Sequence, residues 1–221
     1  MTIFYLLRHG ARESREEDTS ISDIGEKQAE LTANYLKKLN ISEIYASPLK
    51  RTQETAQIIS RTLKLSVKTD NRLKERLLWG DRRGESFDEF LSEWIKTTID
   101  RKYQPLFGDS SCMAGDRMKS LIDEIVKDDI NVLIIAHAGV ITDFLRNVFK
   151  DENLPLVIDP LSKETYIEIL ECSITVVLKN GEKYQLEKVN DISHLPLPIA
   201  LHPKGVKLRK ESSPRRDRRR K

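Results

Sequence analysis

Residues 131–136 read Asn-Val-Leu-Ile-Ile-Ala, an unbroken apolar run after its first residue. Successive side chains of a strand point to opposite faces, so such a run must be covered on both. A helical pattern follows directly over 140–149. This predicts a buried parallel strand in a sheet with helices on either side. Residues 3–7 form a similar short run, and 43–46 and 65–69 read as two further strands. Helical spacing covers 22–39, with Ser22 placed to cap it. Its face is marked by Ile24, Gln28, Leu31, Tyr35 and Leu39. A second helix covers 48–63, with Pro48 in the first turn, where a missing N–H costs nothing. Its face is marked by Thr55, Ile58, Ile59 and Leu63. A third covers 114–128. Segments 173–178 and 184–189 flank Asn180-Gly181, a hairpin signal. The fold class is α/β: a three-layer α/β/α sandwich around a mostly parallel sheet.

The chain of 221 residues suits one domain, assigned here to 1–203. Residues 71–111 form an irregular polar insert with a helical piece near 87–98, of the kind that serves as a lid or substrate loop. Trp79, Phe87, Phe90 and Trp94 within it pack the insert onto the domain or line an apolar substrate mouth. Residues 204–221 hold ten of the 38 basic and two of the 35 acidic residues, a local balance of +8. The first 203 residues carry 28 bases against 33 acids. With almost no apolar residue after Leu208, the tail is expected to be disordered, able at most to bind polyanions weakly. The apolar run at 3–7 is too short for a signal core or a membrane span. Cys112 and Cys172 lack disulfide-framework or metal spacing and read as packing residues in a cytoplasmic protein. His194 and His202 lie among prolines and read as surface residues. Nothing here specifies an oligomeric state.

Ligands of open α/β sheets bind beyond the carboxyl ends of the strands. Three such ends carry unusual polar residues: Arg8-His9-Gly10, Ser47-Pro48-Leu49-Lys50-Arg51, and His137-Ala138-Gly139. If these strands are neighbours, two arginines and two imidazoles share one crevice. That array is rich in donors and has no permanent negative charge, which suits a dianionic phosphoryl group. Helix starts at Pro48 and after His137 would add amides and a positive dipole end. A neutral His9 can attack phosphorus, and nearby arginines disfavour its protonated form. Local spacing alone reads Glu75 as an ion-pair partner of Arg72 or Arg76.

These residues bring out a likeness. LLRHG (6–10), ISDIGEKQA (21–29), SPLKRTQETA (47–56), RLKER (72–76) and IIAHAGVI (134–141) resemble, in order and rough spacing, the motifs of the histidine phosphatase superfamily, which includes the cofactor-dependent phosphoglycerate mutases. The resemblance implies a phosphoglycerate mutase-like fold. It puts the nucleophile on His9 and phosphate-binding arginines on Arg8 and Arg51. It puts a phosphoryl hydrogen-bond donor on His137 and a glutamate acid/base on Glu75. It implies a small phosphorylated substrate and calls for no metal and no other cofactor. Three positions depart from the family pattern: Ala11 where Glu is common, Arg15 where Asn is common, and Ala138 where Gly is common. Ala138 can still offer its backbone N–H, and Arg15 falls on the expected substrate-facing loop. Arg15, Arg82 and Arg83 hint at a substrate with more than one negative group.

The expected activity is a phosphomonoesterase acting through a phosphohistidine. The length falls short of a typical glycolytic mutase, which favours hydrolysis over mutase-type transfer. A scaffold tethered to polyanions by the tail is the remaining alternative, and the filled catalytic positions argue against it. No Gly-rich phosphate loop is present, and Gly80-Asp81-Arg82-Arg83-Gly84-Glu85 lacks the histidine and the Asn-His companion of a metallophosphatase site.

Overall fold

The computed structural model describes residues 1–14, 18–160 and 165–201. Arg15, His202 and the basic tail lie outside the described residues. The strands are β1 (Thr2–Arg8), β2 (Ile41–Ala46), β3 (Val67–Thr69), β4 (Asn131–Ala136), β5 (Leu156–Ile158), β6 (Thr165–Ile167), β7 (Ile174–Asn180) and β8 (Lys183–Asp191). The helices are α1 (Asp23–Leu36), α2 (Lys50–Leu63), α3 (Phe87–Ile99), α4 (Ser111–Ile125), α5 (Ala138–Val148) and the single turn α6 (Leu197–Ala200). Six strands form one sheet in the order β3-β2-β4-β1-β7-β8, and β5 and β6 pair separately. β3, β2, β4 and β1 run parallel, while β7 and β8 add an antiparallel edge. This is the α/β class expected, with a mixed and mostly parallel sheet.

Alternation along β1 and β4 splits the core in two. Phe4, Leu6, Val132, Ile134 and Ala136 face α4 and α5, including Met118, Ile122, Ile141 and Phe144. Tyr5, Leu7, Leu133 and Ile135 face α1 and α2, including Ala29, Ala33, Leu36, Ala56 and Ile59. The run at 131–136 is therefore covered on both sides.

Ser22 caps α1 as expected, accepting from the Gly25 N–H at 3.2 Å. Of the expected face Gln28 is buried, but the rest of the buried face is Gly25, Ala29, Thr32, Ala33 and Leu36, with Ile24, Leu31, Tyr35 and Leu39 only partly covered. Small residues win because α1 packs closely on its neighbours. A Cβ on Gly25 would sit 2.1 Å from the Ala11 carbonyl oxygen, and one on Gly10 would sit 2.6 Å from the Gly25 oxygen. On α2, Thr55 and Ile59 are buried as expected, joined by Arg51, Thr52 and Ala56, while Ile58 and Leu63 are half-buried. Pro48 does not open α2. Leu49 is the extended cap residue and the helix starts at Lys50, because the Ser47 hydroxyl takes the Leu49 N–H at 3.3 Å and holds the chain outside the helix. The third helix begins three residues before its expected start, capped by the Ser110 side chain. His194 is half-buried rather than a free surface residue: it stacks on Tyr35 with ring centroids 5.0 Å apart and lies 3.0 Å from the Thr32 hydroxyl. Among the described residues no helix is long and apolar enough to cross a membrane.

Candidate active site

β4 lies between β1 and β2, so the three polar strand ends are neighbours. The His9 N–H bonds the Ala136 carbonyl at 3.1 Å, and the Ser47 N–H bonds the Ile135 carbonyl at 3.0 Å. The rings of His9 and His137 stand 5.2 Å apart at 59°. His9, Arg51 and His137 are 4%, 3% and 1% exposed.

Hydrogen bonding sets the tautomer of an imidazole. His9 Nδ1 is 2.8 Å from the Gly10 carbonyl oxygen, which can only accept, so the proton is assigned to Nδ1. Its Nε2 keeps a lone pair, and Arg51 Nε donates to it at 3.2 Å. The Ser47 hydroxyl accepts from Leu49 and lies 2.9 Å from His137 Nε2, to which it can donate or from which it can accept. His137 Nδ1 is a buried atom with no partner among the described residues. Burial, more than the neighbouring arginines, pushes both imidazoles well below their ordinary pKa. They are neutral at neutral pH.

The loop after β1 is tied down around His9. The Gly10 N–H donates to the Thr55 hydroxyl at 3.1 Å and the Ala11 N–H to the Gln28 side chain at 2.8 Å. Glu54 takes the Ile21 N–H at 2.8 Å. Arg8, the last residue of β1, donates Nη1 to the Ile169 carbonyl at 2.6 Å and Nη2 to Glu171 at 2.7 Å. Its Nε is buried without a partner among the described residues. Arg51 pairs with Asp18 at 3.5 Å. Burial and the nearby Arg12 push Arg51 down to about 10, with Glu75 and Asp18 pulling the other way.

Glu75 departs from its local reading as a surface ion pair. Arg72 pairs with Asp70 and Glu124, and Arg76 pairs with Asp143, both oxygens at 3.1 Å. Glu75 turns instead to the start of α5, whose cap residue is His137. Oε2 accepts from the Gly139 N–H and Oε1 from the Val140 N–H, each at 3.0 Å, and Oε1 also accepts from the Arg76 N–H. Glycine at 139 permits this approach, since a Cβ there would lie 2.3 Å from Glu75 Oε1. Behind it, Arg76 also bonds the Thr98 hydroxyl and stacks on Trp94, 3.9 Å from the ring centroid. Burial outweighs Arg76 at Asp143 and pushes that carboxyl up to about 6.

Arg8, His9, Arg51, Glu75 and His137 are thus brought together, and Ala138 opens α5 beside them. The helix starts are not wholly free for a ligand. Two α5 amides serve Glu75, and the Lys50 N–H at the start of α2 serves Asp18 at 2.7 Å. Arg82 turns to Glu85 and Glu89, which answers part of its charge locally. The insert rings form a chain, Trp79–Phe87–Phe90–Trp94, with centroids 5.1, 6.2 and 6.1 Å apart, and so pack the insert. Sequence reasoning missed Asp18, Glu171 and Arg12, and it gave Ser47 no role beyond its place at a polar strand end. The acids carry no local signal.

The sequence pattern of the Histidine phosphatase superfamily (branch 1) matches residues 4–192. Phosphoglycerate mutase-like protein 4 of Arabidopsis thaliana is 31% identical over 194 residues, covering 80% of this chain and 77% of that one. A probable phosphoglycerate mutase of Serratia proteamaculans is 28% identical over 215 residues, covering 88% and 95%. In fold, the chain resembles a phosphoserine phosphatase of Entamoeba histolytica solved with 3-phosphoglyceric acid. The TM-score is 0.70 at 22% identity, over 89% of this chain and 100% of that one.

Proposed function

The chain belongs to branch 1 of the histidine phosphatase superfamily, and from that premise we propose that it hydrolyses a small phosphomonoester through a phosphohistidine on His9, without a metal. The observation that carries the proposal is the His9 tautomer: with Nδ1 bonded to the Gly10 carbonyl, the lone pair on Nε2 lies beside Arg51.

In the proposed cycle the phosphoryl group draws the Arg51 Nε–H away from His9 and onto its own oxygen. Arg8 Nε and His137 Nδ1, both buried without partners among the described residues, take further oxygens, His137 in the tautomer that carries its proton on Nδ1. His9 Nε2 then bonds phosphorus as the ester P–O bond breaks. Glu75 gives the departing alkoxide its proton. In the second half Glu75 takes a proton from water, water oxygen bonds phosphorus, and the P–N bond breaks to release phosphate and His9.

The competing reading is phosphoryl return to a bound hydroxy acid, and the mutase names of the two sequence relatives favour it. The phosphatase name of the solved structure whose fold the chain shares supports hydrolysis. The test is a panel of phosphomonoesters assayed in chelator, with phosphate release scored against transfer to an acceptor. Acid-labile labelling is expected on wild type and not on His9→Ala. Labelling that survives this change refutes the nucleophile, and transfer exceeding release refutes the hydrolase.

A further inference from the structure

Glu171 stands on the turn that leads into β7, and the turn is bound to the nucleophile's own strand. The Cys172 N–H reaches the Arg8 and His9 carbonyls at 3.1 and 3.3 Å, and the Arg8 N–H reaches the Ser173 carbonyl at 3.4 Å. Cys172 holds φ at 54°, a left-handed conformation unfavourable to a side chain that bears a Cβ. On the other side the Leu170 N–H is held by Asn190 at 2.7 Å. The Glu171 backbone is therefore fixed from both flanks. Its carboxylate meets Arg8 Nη2 at 2.7 Å, and the two side chains are 13% and 14% exposed.

We infer that Glu171 is a positioning residue that fixes the guanidinium of Arg8 and moderates its hold on phosphate. The inference rests on the proposed phosphate-binding role of Arg8. The carboxylate and the Ile169 carbonyl occupy both Nη atoms, so the head group is oriented before substrate arrives. A guanidinium this covered also needs a counter-charge while the site is empty. The same carboxylate repels a dianion brought to Arg8, and at low effective dielectric that repulsion is appreciable. Glu171 thus gives up part of the affinity for phosphate, substrate and product alike, in exchange for geometry. For a hydrolase, whose product is phosphate itself, weaker product binding favours turnover.

The test is the inhibition constant of inorganic phosphate in Glu171→Gln, which keeps an acceptor oxygen for Arg8 and removes the charge. The constant is expected to fall by about threefold or more, with KM falling alongside and kcat not rising. Glu171→Asp keeps the charge and should stay within about twofold of wild type. If the Gln variant fails to fold, Glu171→Asn reads the same loss of charge. A constant unchanged or raised in the uncharged variants overturns the inference, since a merely structural residue would loosen phosphate when altered. Arg8→Ala, measured in parallel, should raise the constant by about tenfold or more. If Arg8→Ala leaves it unchanged, the phosphate role of Arg8 fails instead.

Discussion

The Glu75 carboxylate closes the amino end of α5, taking the Gly139 and Val140 N–H groups at 3.0 Å each. The proposed acid is thereby fastened to the helix whose cap residue is His137. It cannot drift without breaking these hydrogen bonds. Glu75→Gln is expected to slow hydrolysis of alkyl phosphates by about 10²-fold, and of aryl phosphates with good leaving groups by less. Equal loss on both classes would argue against proton donation.

Gly139→Ala probes the same contact from the other side. The new Cβ would meet Glu75 Oε1 at 2.3 Å and Trp94 at 2.8 Å, so the carboxylate must move. Alkyl phosphate turnover should drop by about tenfold or more, with aryl substrates spared, because small displacements of a proton donor are costly. Unchanged selectivity between the two classes would show that the contact does not set the position of Glu75.

Arg76 and Asp143 are each 3% exposed and form a pair that joins the insert to α5. Removing one member strands the other as a buried charge. Asp143→Ala should lower unfolding free energy by about 3–5 kcal/mol, read from urea denaturation. A loss under about 1 kcal/mol would mean that water reaches Arg76 readily.

Acid should destabilise the protein, with a definite sign for each group. His9 and His137 titrate well below 6.5 when folded and near 6.5 when unfolded. The unfolded chain therefore binds more protons, and stability present above about pH 6.5 is lost as pH falls, by about 1.4 kcal/mol per unit for each histidine. Asp143 works the other way. Raised to about 6, its contribution is full below the unfolded carboxylate range and is lost as pH rises through 6. The slope of the urea midpoint between pH 6.5 and 5 should flatten in His137→Asn and steepen in Asp143→Asn. Parallel slopes in all three proteins would contradict this assignment.

The basic tail should be dispensable for chemistry. Charges in water act over about one Debye length, near 8 Å at physiological salt. Deleting 204–221 should leave turnover of a small phosphomonoester within about twofold and abolish any salt-sensitive retention on heparin. A folded truncation that loses most of its turnover would place the tail at the active site.

Much of this was legible because strand ends are local signals. Arg8-His9, Ser47 to Arg51, and His137 each follow an apolar run, and parallel strands bring such ends together whatever lies between. Glu75 was legible only by family likeness, since its true partners lie 64 and 65 residues away in α5. Asp18 and Glu171 were invisible for the same reason, the latter 163 residues from Arg8. The α1 face was misread because bulk was taken as the mark of burial, whereas Gly25, Ala29 and Ala33 are buried for close approach. The β5–β6 pair, three residues each, is too short to show a period.

The place of β4 between β1 and β2 governs when this site can come into being. A nascent chain that has emerged only as far as α4 already holds Arg8, His9, Arg51 and Glu75. Yet β1 and β2 share no edge, and β4 supplies the carbonyls that fix His9 and Ser47. At a ribosomal pace of roughly 5–20 residues per second, the unfinished polypeptide carries His9 for several seconds before β4 is there to fix it. Insertion of a late central strand is a non-local, comparatively slow step. If His9 acts as proposed, activity arrives with β4 rather than building up along the chain.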